Sequence, residues 1–212
     1  MSVSKPPSLD DAPHVANLRR QAEAVIPTPY GRFNMIAYAD SAEEYAPHLA
    51  LVHEDARTDR PVVVRIHSEC ITGDLFGSQR CDCGEQLHYS LRTAAERGGI
   101  VLYLRQEGRG IGIINKLKAY RLQDEGLDTI EANVHLGLEV DARQYGIAVA
   151  MLRDLGISRI HLLTNNPEKI EAITDSSVEI VSRLPIIIPA RTENREYLAT
   201  KEKDMGHLLG LL

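Results

Sequence analysis

Cys70, Cys81 and Cys83 are the only cysteines in this chain of 212 residues, and they lie close together as Cys70-x10-Cys81-x-Cys83. An odd number so tightly clustered cannot form a fully paired disulfide framework, so a reducing compartment and metal ligation are expected. Thiolates bind zinc at about 2.3 Å, and three of them converging supply most of a tetrahedral shell. Structural zinc sites close with four protein ligands, whereas catalytic ones keep three and leave a position for water or substrate. The spacing therefore points to a catalytic zinc. Closure by His67 or His88 into a structural staple, and plain buried thiols, stand as alternatives. His67-x-Glu69 shares the H-x-E of zinc nucleobase deaminases, but C-x-C without a preceding proline departs from their P-C-x-x-C.

Three further clusters carry groups suited to a phosphorylated ligand. Glu107-Gly108-Arg109-Gly110-Ile111-Gly112 falls between an apolar run and a helical pattern, where exposed N–H groups and a helix dipole favour anions. It is neither a P-loop nor a dinucleotide fingerprint, and a tight turn is the plain alternative. Its Glu107 carboxylate can accept from a guanine amino edge, and Arg109 can bind phosphate or a carbonyl. In Thr164-Asn165-Asn166-Pro167-Glu168-Lys169, Pro167 suits a first helical position, which makes Asn166 the N-cap. Lys169 then sits in a first turn that disfavours a cation, unless a phosphate shares that helix end. Asp141 and Gln144 have the spacing of a capping box opening the helix that carries Tyr145, which gives Asp141-x-Arg143 a structural reading.

The elements needed to position these groups follow from periodicity. Short apolar runs between Arg19 and Pro61, broken by Pro27, Pro29 and Gly31, predict a strand meander. The β-branched run Pro61–Ile66 predicts a strand ending at His67-Ser68-Glu69-Cys70. A helix over Glu85–Arg97, a buried strand over Ile100–Leu104 and a helix near Ile113–Gln123 follow. Tyr145, Ala148, Val149, Leu152 and Leu155 recur at helical spacing, and Gly156 provides a stop. A strand over Ile160–Leu163, a helix from Pro167, a strand around Val178–Val181 and a terminal helix ending near Leu209 complete the order. The expected class is α/β (mixed α+β), a single domain over residues 14–212 with a mixed sheet flanked by helices, behind a loose polar tail at 1–13.

Composition bounds the function. With 43% hydrophobic and 25% charged residues the chain can bury a core. A net charge of −6 gives no global field for nucleic acid, so a small phosphorylated ligand is the better expectation. No run of about 18 apolar residues and no signal-peptide core are seen, so a cytoplasmic protein without membrane contact is expected.

Read in order, RIHSECITGDLFGSQRCDCGEQL, RQEGRGIGIINKLKAYRLQDEGLDTIEAN, DARQYGIA and LLTNNPEKI resemble GTP cyclohydrolase II, the first enzyme of riboflavin synthesis, over about residues 20 to 209. The resemblance implies opening of the imidazole ring of GTP with release of formate and pyrophosphate. Carried over by motif, Cys70, Cys81 and Cys83 hold zinc. Arg65, Ile66, His67, Ser68, Glu69, Gln86, Glu107, Gly108, Arg109, Thr129, Thr164 and Lys169 contact GTP. Asp141 becomes the proton acceptor and Arg143 a nucleophile toward the α-phosphorus, which overrides the capping-box reading, although Asp141 can do both. Arginine is a poor nucleophile because its pKa exceeds about 12, so a carboxylate must assist and Mg²⁺ must neutralise the pyrophosphate. Zinc lowers the pKa of a bound water from 15.7 towards about 7, which suits attack at C8 of guanine. Tyr120 falls near the reacting ring by resemblance, and as a packed helix tyrosine otherwise.

The chain departs from the family pattern at Thr174-Asp175-Ser176-Ser177-Val178, which lacks the usual turn glycine, so a local loop change is expected. A monofunctional homodimer is expected, without the dihydroxybutanone-phosphate synthase domain that some relatives carry. A paralogue that retains the formyl group, and a zinc-stapled nucleotide-binding module without turnover, are the competing readings.

Overall fold

Val62–Ser68, the strand β4, is buried along almost its whole length, as expected for a parallel strand covered on both faces. In the computed structural model, which describes residues 17–139, 141–194, 198–199, 202–203 and 206–208, β4 is the third-last strand of a seven-stranded sheet. The others are β1 (Arg19–Thr28), β2 (Gly31–Ala39), β3 (His48–His53), β5 (Ile100–Leu104), β6 (Arg159–Leu163) and β7 (Glu179–Leu184), in the order β1-β2-β3-β5-β4-β6-β7. The first three form the expected antiparallel meander, and β3 joins it antiparallel to β5. From β5 onward the pairings are parallel. The tail at 1–13 lies outside the described residues, as does much of the segment expected to form the terminal helix.

Period-two alternation sorts β4 between two layers. Val62, Val64 and Ile66 join Ile100, Leu102 and Leu104 in the main core, against Ala148, Val149, Met151 and Leu152 of helix α5 (Gly146–Asp154). Burying each large aliphatic side chain contributes about 1.5–3 kcal/mol. On the other face, Val101 packs with Phe33 and Ala94, the latter on helix α2 (Cys83–Arg97). Arg65, one residue from Ile66 and so turned to the α2 side, is buried and donates from Nη2 to Gln86 Oε1 at 2.6 Å.

The remaining helices are α1 (Ile71–Asp74), α3 (Gly112–Asp124), α4 (Thr129–His135) and α6 (Pro167–Thr174). Neither α1 nor α4 is foreseen from periodicity. Yet α4 carries a full capping box, Asp128 accepting from the N–H of Glu131 and Glu131 accepting from the N–H of Asp128. The capping box expected at Asp141 is absent: α5 begins at Gly146, with Tyr145 at its N-cap and no side-chain cap bond. The Asp141 carboxylate instead accepts from Arg143 Nε at 2.8 Å and from its Nη2, charge-assisted bonds stronger than a neutral cap. Asn166 caps α6 as expected, accepting from Glu168 N at 2.8 Å. After α6, the turn at residues 174–178 is closed by Ser176, whose N–H and hydroxyl both bond Ile173 O while its Oγ accepts from Val178 N.

β4 sits between β5 on one side and β6 on the other, so the chain reverses its direction of travel across the sheet at this strand. Open α/β sheets bind ligands outside the carboxyl ends of strands at such a switch point. The segments leaving β4, β5 and β6 there begin Glu69-Cys70, Arg105-Gln106-Glu107 and Thr164-Asn165-Asn166. No helix among the described residues is long and apolar enough to cross a membrane.

Candidate metal and nucleotide site

Cys70 follows β4, Cys81 lies just before α2 and Cys83 is its first residue, so the short α1 loop folds the three thiols together. Their sulfurs all lie within 4.8 Å of one another. Tetrahedral ligands at about 2.3 Å from zinc stand about 3.8 Å apart, and Cys70 Sγ and Cys81 Sγ are 3.7 Å apart. Among the described residues no His, Asp or Glu joins the cluster. His67 is engaged through Nε2 with Asp74 at 3.1 Å, and His88 lies beside Tyr30. The three cysteines thus fit a zinc site with an open position, and neither histidine closes it.

Hydrogen bonds from Cys81 and Cys83 lower the pKa of Cys70, against burial and with help from Lys116. Lys116, on α3 and buried, spends its three donors on Cys70 Sγ at 3.0 Å, Thr72 Oγ1 at 3.0 Å and Glu107 Oε1 at 2.7 Å. Asp74 fixes the loop from beneath, its carboxylate accepting from Cys70 N at 3.0 Å, Tyr103 OH at 2.9 Å and His67. Burial lowers the pKa of His67 despite this carboxylate. The loop closes because Gly73 and Gly84 lack side chains: a Cβ on Gly84 would stand 2.4 Å from Gly73 O. Gly84→Ala should therefore push α2 off the metal loop, costing about 1–3 kcal/mol. Weakened zinc retention on dialysis with a lowered Tm would show it, and unchanged zinc content would contradict it.

The glycine-rich turn after β5 is a run of left-handed residues, with Gly108 at φ 60, Arg109 at φ 62 and Gly110 at φ 91. Arg109 is the one non-glycine with positive φ among the described residues, a strain of roughly 1–2 kcal/mol of the kind that concentrates at functional sites. Its Nη1 and Nη2 are buried without a hydrogen-bond partner among the described residues, as are Arg65 Nε, Ser68 Oγ and Gln106 Oε1. Leaving a buried donor unmade costs about 1–3 kcal/mol, so these atoms mark where a polar ligand would bond. Glu107 is differently occupied: its carboxylate accepts from Ile71 N, Gly108 N and Lys116, which ties the metal loop to the turn.

One cavity gathers the expected residues. Every residue expected to bind metal or GTP or to act in catalysis lines it except Ile66 and Asp141. The Ile66 side chain is core, while its carbonyl accepts from Lys169 Nζ at 2.9 Å. Asp141 stands behind Arg143, which does line the cavity. Burial opposes charge on both partners, yet their hydrogen bonds hold Asp141 below and Arg143 above the ordinary values. Arg65 is lowered to about 10 by burial and stays protonated at neutral pH. Tyr120 lines the cavity, with Arg80 5.0 Å and Lys116 Nζ 5.7 Å from its ring centroid.

Sequence reasoning missed Lys116, Asp74, Gln106 and the placement of Tyr145. For Lys116 a signal existed, since it lies four residues before Tyr120 on one helix face. Nothing local distinguishes Asp74 from a turn aspartate.

Comparison with known proteins places this architecture. The family model described as GTP cyclohydrolase II matches residues 19–185. The riboflavin biosynthesis protein RibBA of Bacillus cytotoxicus is 51% identical over 93% of this chain and 50% of its own length. RibBA of Bacillus cereus is likewise 51% identical over the same shares. The chain spans about half the length of these curated relatives. On the matched motifs and the identity across nearly all its residues, the chain belongs to the GTP cyclohydrolase II family.

Proposed function

We propose that this chain hydrolyses GTP as a GTP cyclohydrolase II, opening the imidazole ring with release of formate and pyrophosphate. The product would be 2,5-diamino-6-(5-phosphoribosylamino)pyrimidin-4-one, the first step of riboflavin biosynthesis. The observation that carries this reading is one cavity lined both by three metal-competent thiols and by the buried cations Arg65, Lys116 and Lys169. A catalytic zinc on Cys70, Cys81 and Cys83 would supply the Lewis acidity for hydrolysis at the ring carbon.

The protein's own groups divide the remaining work. Arg109, Arg65 and Ser68 offer their unmatched polar atoms to the nucleotide, and Gln86, Thr129 and Thr164 border it. Glu107 acts as a strut that holds Lys116 on the thiolate side. Tyr120 stands at the cavity wall beside Lys116, placed to orient the reacting ring. Arg143 and Lys169 meet the phosphates, with Mg²⁺ on the departing pyrophosphate. A nucleophilic Arg143 must first yield a proton to Asp141; the fork between them orients that transfer and also strengthens Arg143 as a phosphate clamp. Residues 14–212 form one catalytic domain in this reading, working as a cytoplasmic homodimer.

Mass spectrometry of the pyrimidine formed from GTP and Mg²⁺ by the zinc-loaded protein tests the reading. A product that has lost formate supports it. A formyl-retaining product would move the chain to the paralogue reading, and unconverted GTP bound by folded protein would leave a nucleotide-binding module.

A further inference from the structure

Tyr145 reads from sequence as one more apolar position on α5, and it does belong to the main core. Its ring has a second set of neighbours. The Arg143 guanidinium carbon stands 5.6 Å from the ring centroid and Lys169 Nζ stands 5.5 Å from it, both within the range of cation–π attraction. Tyr145 is only 6% exposed, so water screens these contacts little. The phenol oxygen also accepts from Asn166 Nδ2 at 3.4 Å, and Asn166 is the N-cap of the helix that carries Lys169. One side chain therefore links the Asp141–Tyr145 segment to the β6–α6 loop.

We propose that Tyr145 is a positioning residue for the phosphate end of the site, its ring holding Arg143 and Lys169 together so that both face one polyphosphate. This rests on the reading that these two cations meet the phosphates.

The chemistry favours an aromatic ring for the task. Two like charges brought into one buried region repel, and something must hold them. Asp141 and, at 3.6 Å, Glu168 already pair with Arg143, and Asp141 consumes N–H donors in doing so. A ring quadrupole adds attraction for both cations without taking an N–H donor from either, so donors not already bonded stay available to an anion. Asp141 takes Nε and Nη2 of Arg143, so Nη1 lies outside that fork. Lys169 gives a donor to Ile66 O at 2.9 Å, which ties its ammonium to the end of β4.

The test measures binding of inorganic pyrophosphate and, separately, of guanosine to zinc-loaded protein by calorimetry, in Tyr145→Leu and Tyr145→Phe. Tyr145→Leu should weaken pyrophosphate about tenfold or more while guanosine changes less than about twofold, and Tyr145→Phe should restore pyrophosphate to within about threefold. Should Tyr145→Leu fold poorly, pentafluorophenylalanine at position 145 keeps the ring's shape and reverses its quadrupole, and it should lose pyrophosphate alone. Unchanged pyrophosphate affinity in Tyr145→Leu or in the fluorinated protein, or equal loss of both ligands, overturns the proposal. If Arg143→Ala and Lys169→Ala also bind pyrophosphate normally, the phosphate reading itself fails, an outcome separate from failure at Tyr145 alone.

Discussion

Cys81→Ser is expected to remove zinc and lower ring opening of GTP by at least roughly a thousandfold, because water without the metal returns towards its bulk pKa of 15.7. The fold should survive. None of the three cysteines belongs to either apolar cluster that packs the sheet against its helices. Cys81 lies in the loop between α1 and α2, whereas the main core is built from β2 to β6 with α5 and α6. Far-UV circular dichroism and Tm should stay near the parent's while metal analysis shows the loss. Unfolding of Cys81→Ser would return the metal to the role of a structural staple, and full activity without zinc would remove it from the reaction.

Arg143→Lys is expected to lower kcat/KM for GTP by roughly 10²- to 10³-fold, nearly as much as Arg143→Ala, the range seen when one preorganised charge-stabilising group is lost. Lysine keeps the charge but cannot reproduce the planar fork that bonds Asp141 through Nε and Nη2. It would also leave Asp141, a partly buried carboxylate, with poorer compensation. Asp141→Asn should cost less than Arg143→Ala if Arg143 works as a phosphate clamp, since the cation persists. If Arg143 is a nucleophile and Asp141 its proton acceptor, the two losses should be comparable, and quenched-flow mass spectrometry should find guanylyl modification on the peptide that holds Arg143. Retention of near-parental kcat/KM by Arg143→Lys would contradict both roles.

The parts of the site visible in sequence are those whose signals are local. Cys70-x10-Cys81-x-Cys83 needs only one short loop to converge, and Asn166-Pro167 specifies a helix start within two residues. The β-branched run before His67 likewise announces a buried strand. Contacts made across the fold were not legible. Lys116 reaches Cys70 across 46 positions of chain, and Lys169 reaches Ile66 across 103. Sheet order depends on such long-range pairings, so alternation gave strands without saying that β3 would border β5. Asp141 shows the opposite error, a correct local spacing overruled by a nearby guanidinium that binds the carboxylate more strongly than a helix end does. Tyr145 was legible only in part: its periodicity correctly put it in the core, but the two cations over its ring come from outside its helix.

Simultaneous measurement of formate and pyrophosphate released from GTP, as zinc is titrated into metal-stripped protein with Mg²⁺ present, tests most directly that this single cavity performs both halves of the reaction. Equal amounts of the two products, with formate release rising in step with zinc and saturating at one zinc per chain, are expected. Formate release that is indifferent to zinc, or pyrophosphate with no formate at full zinc occupancy, would contradict it.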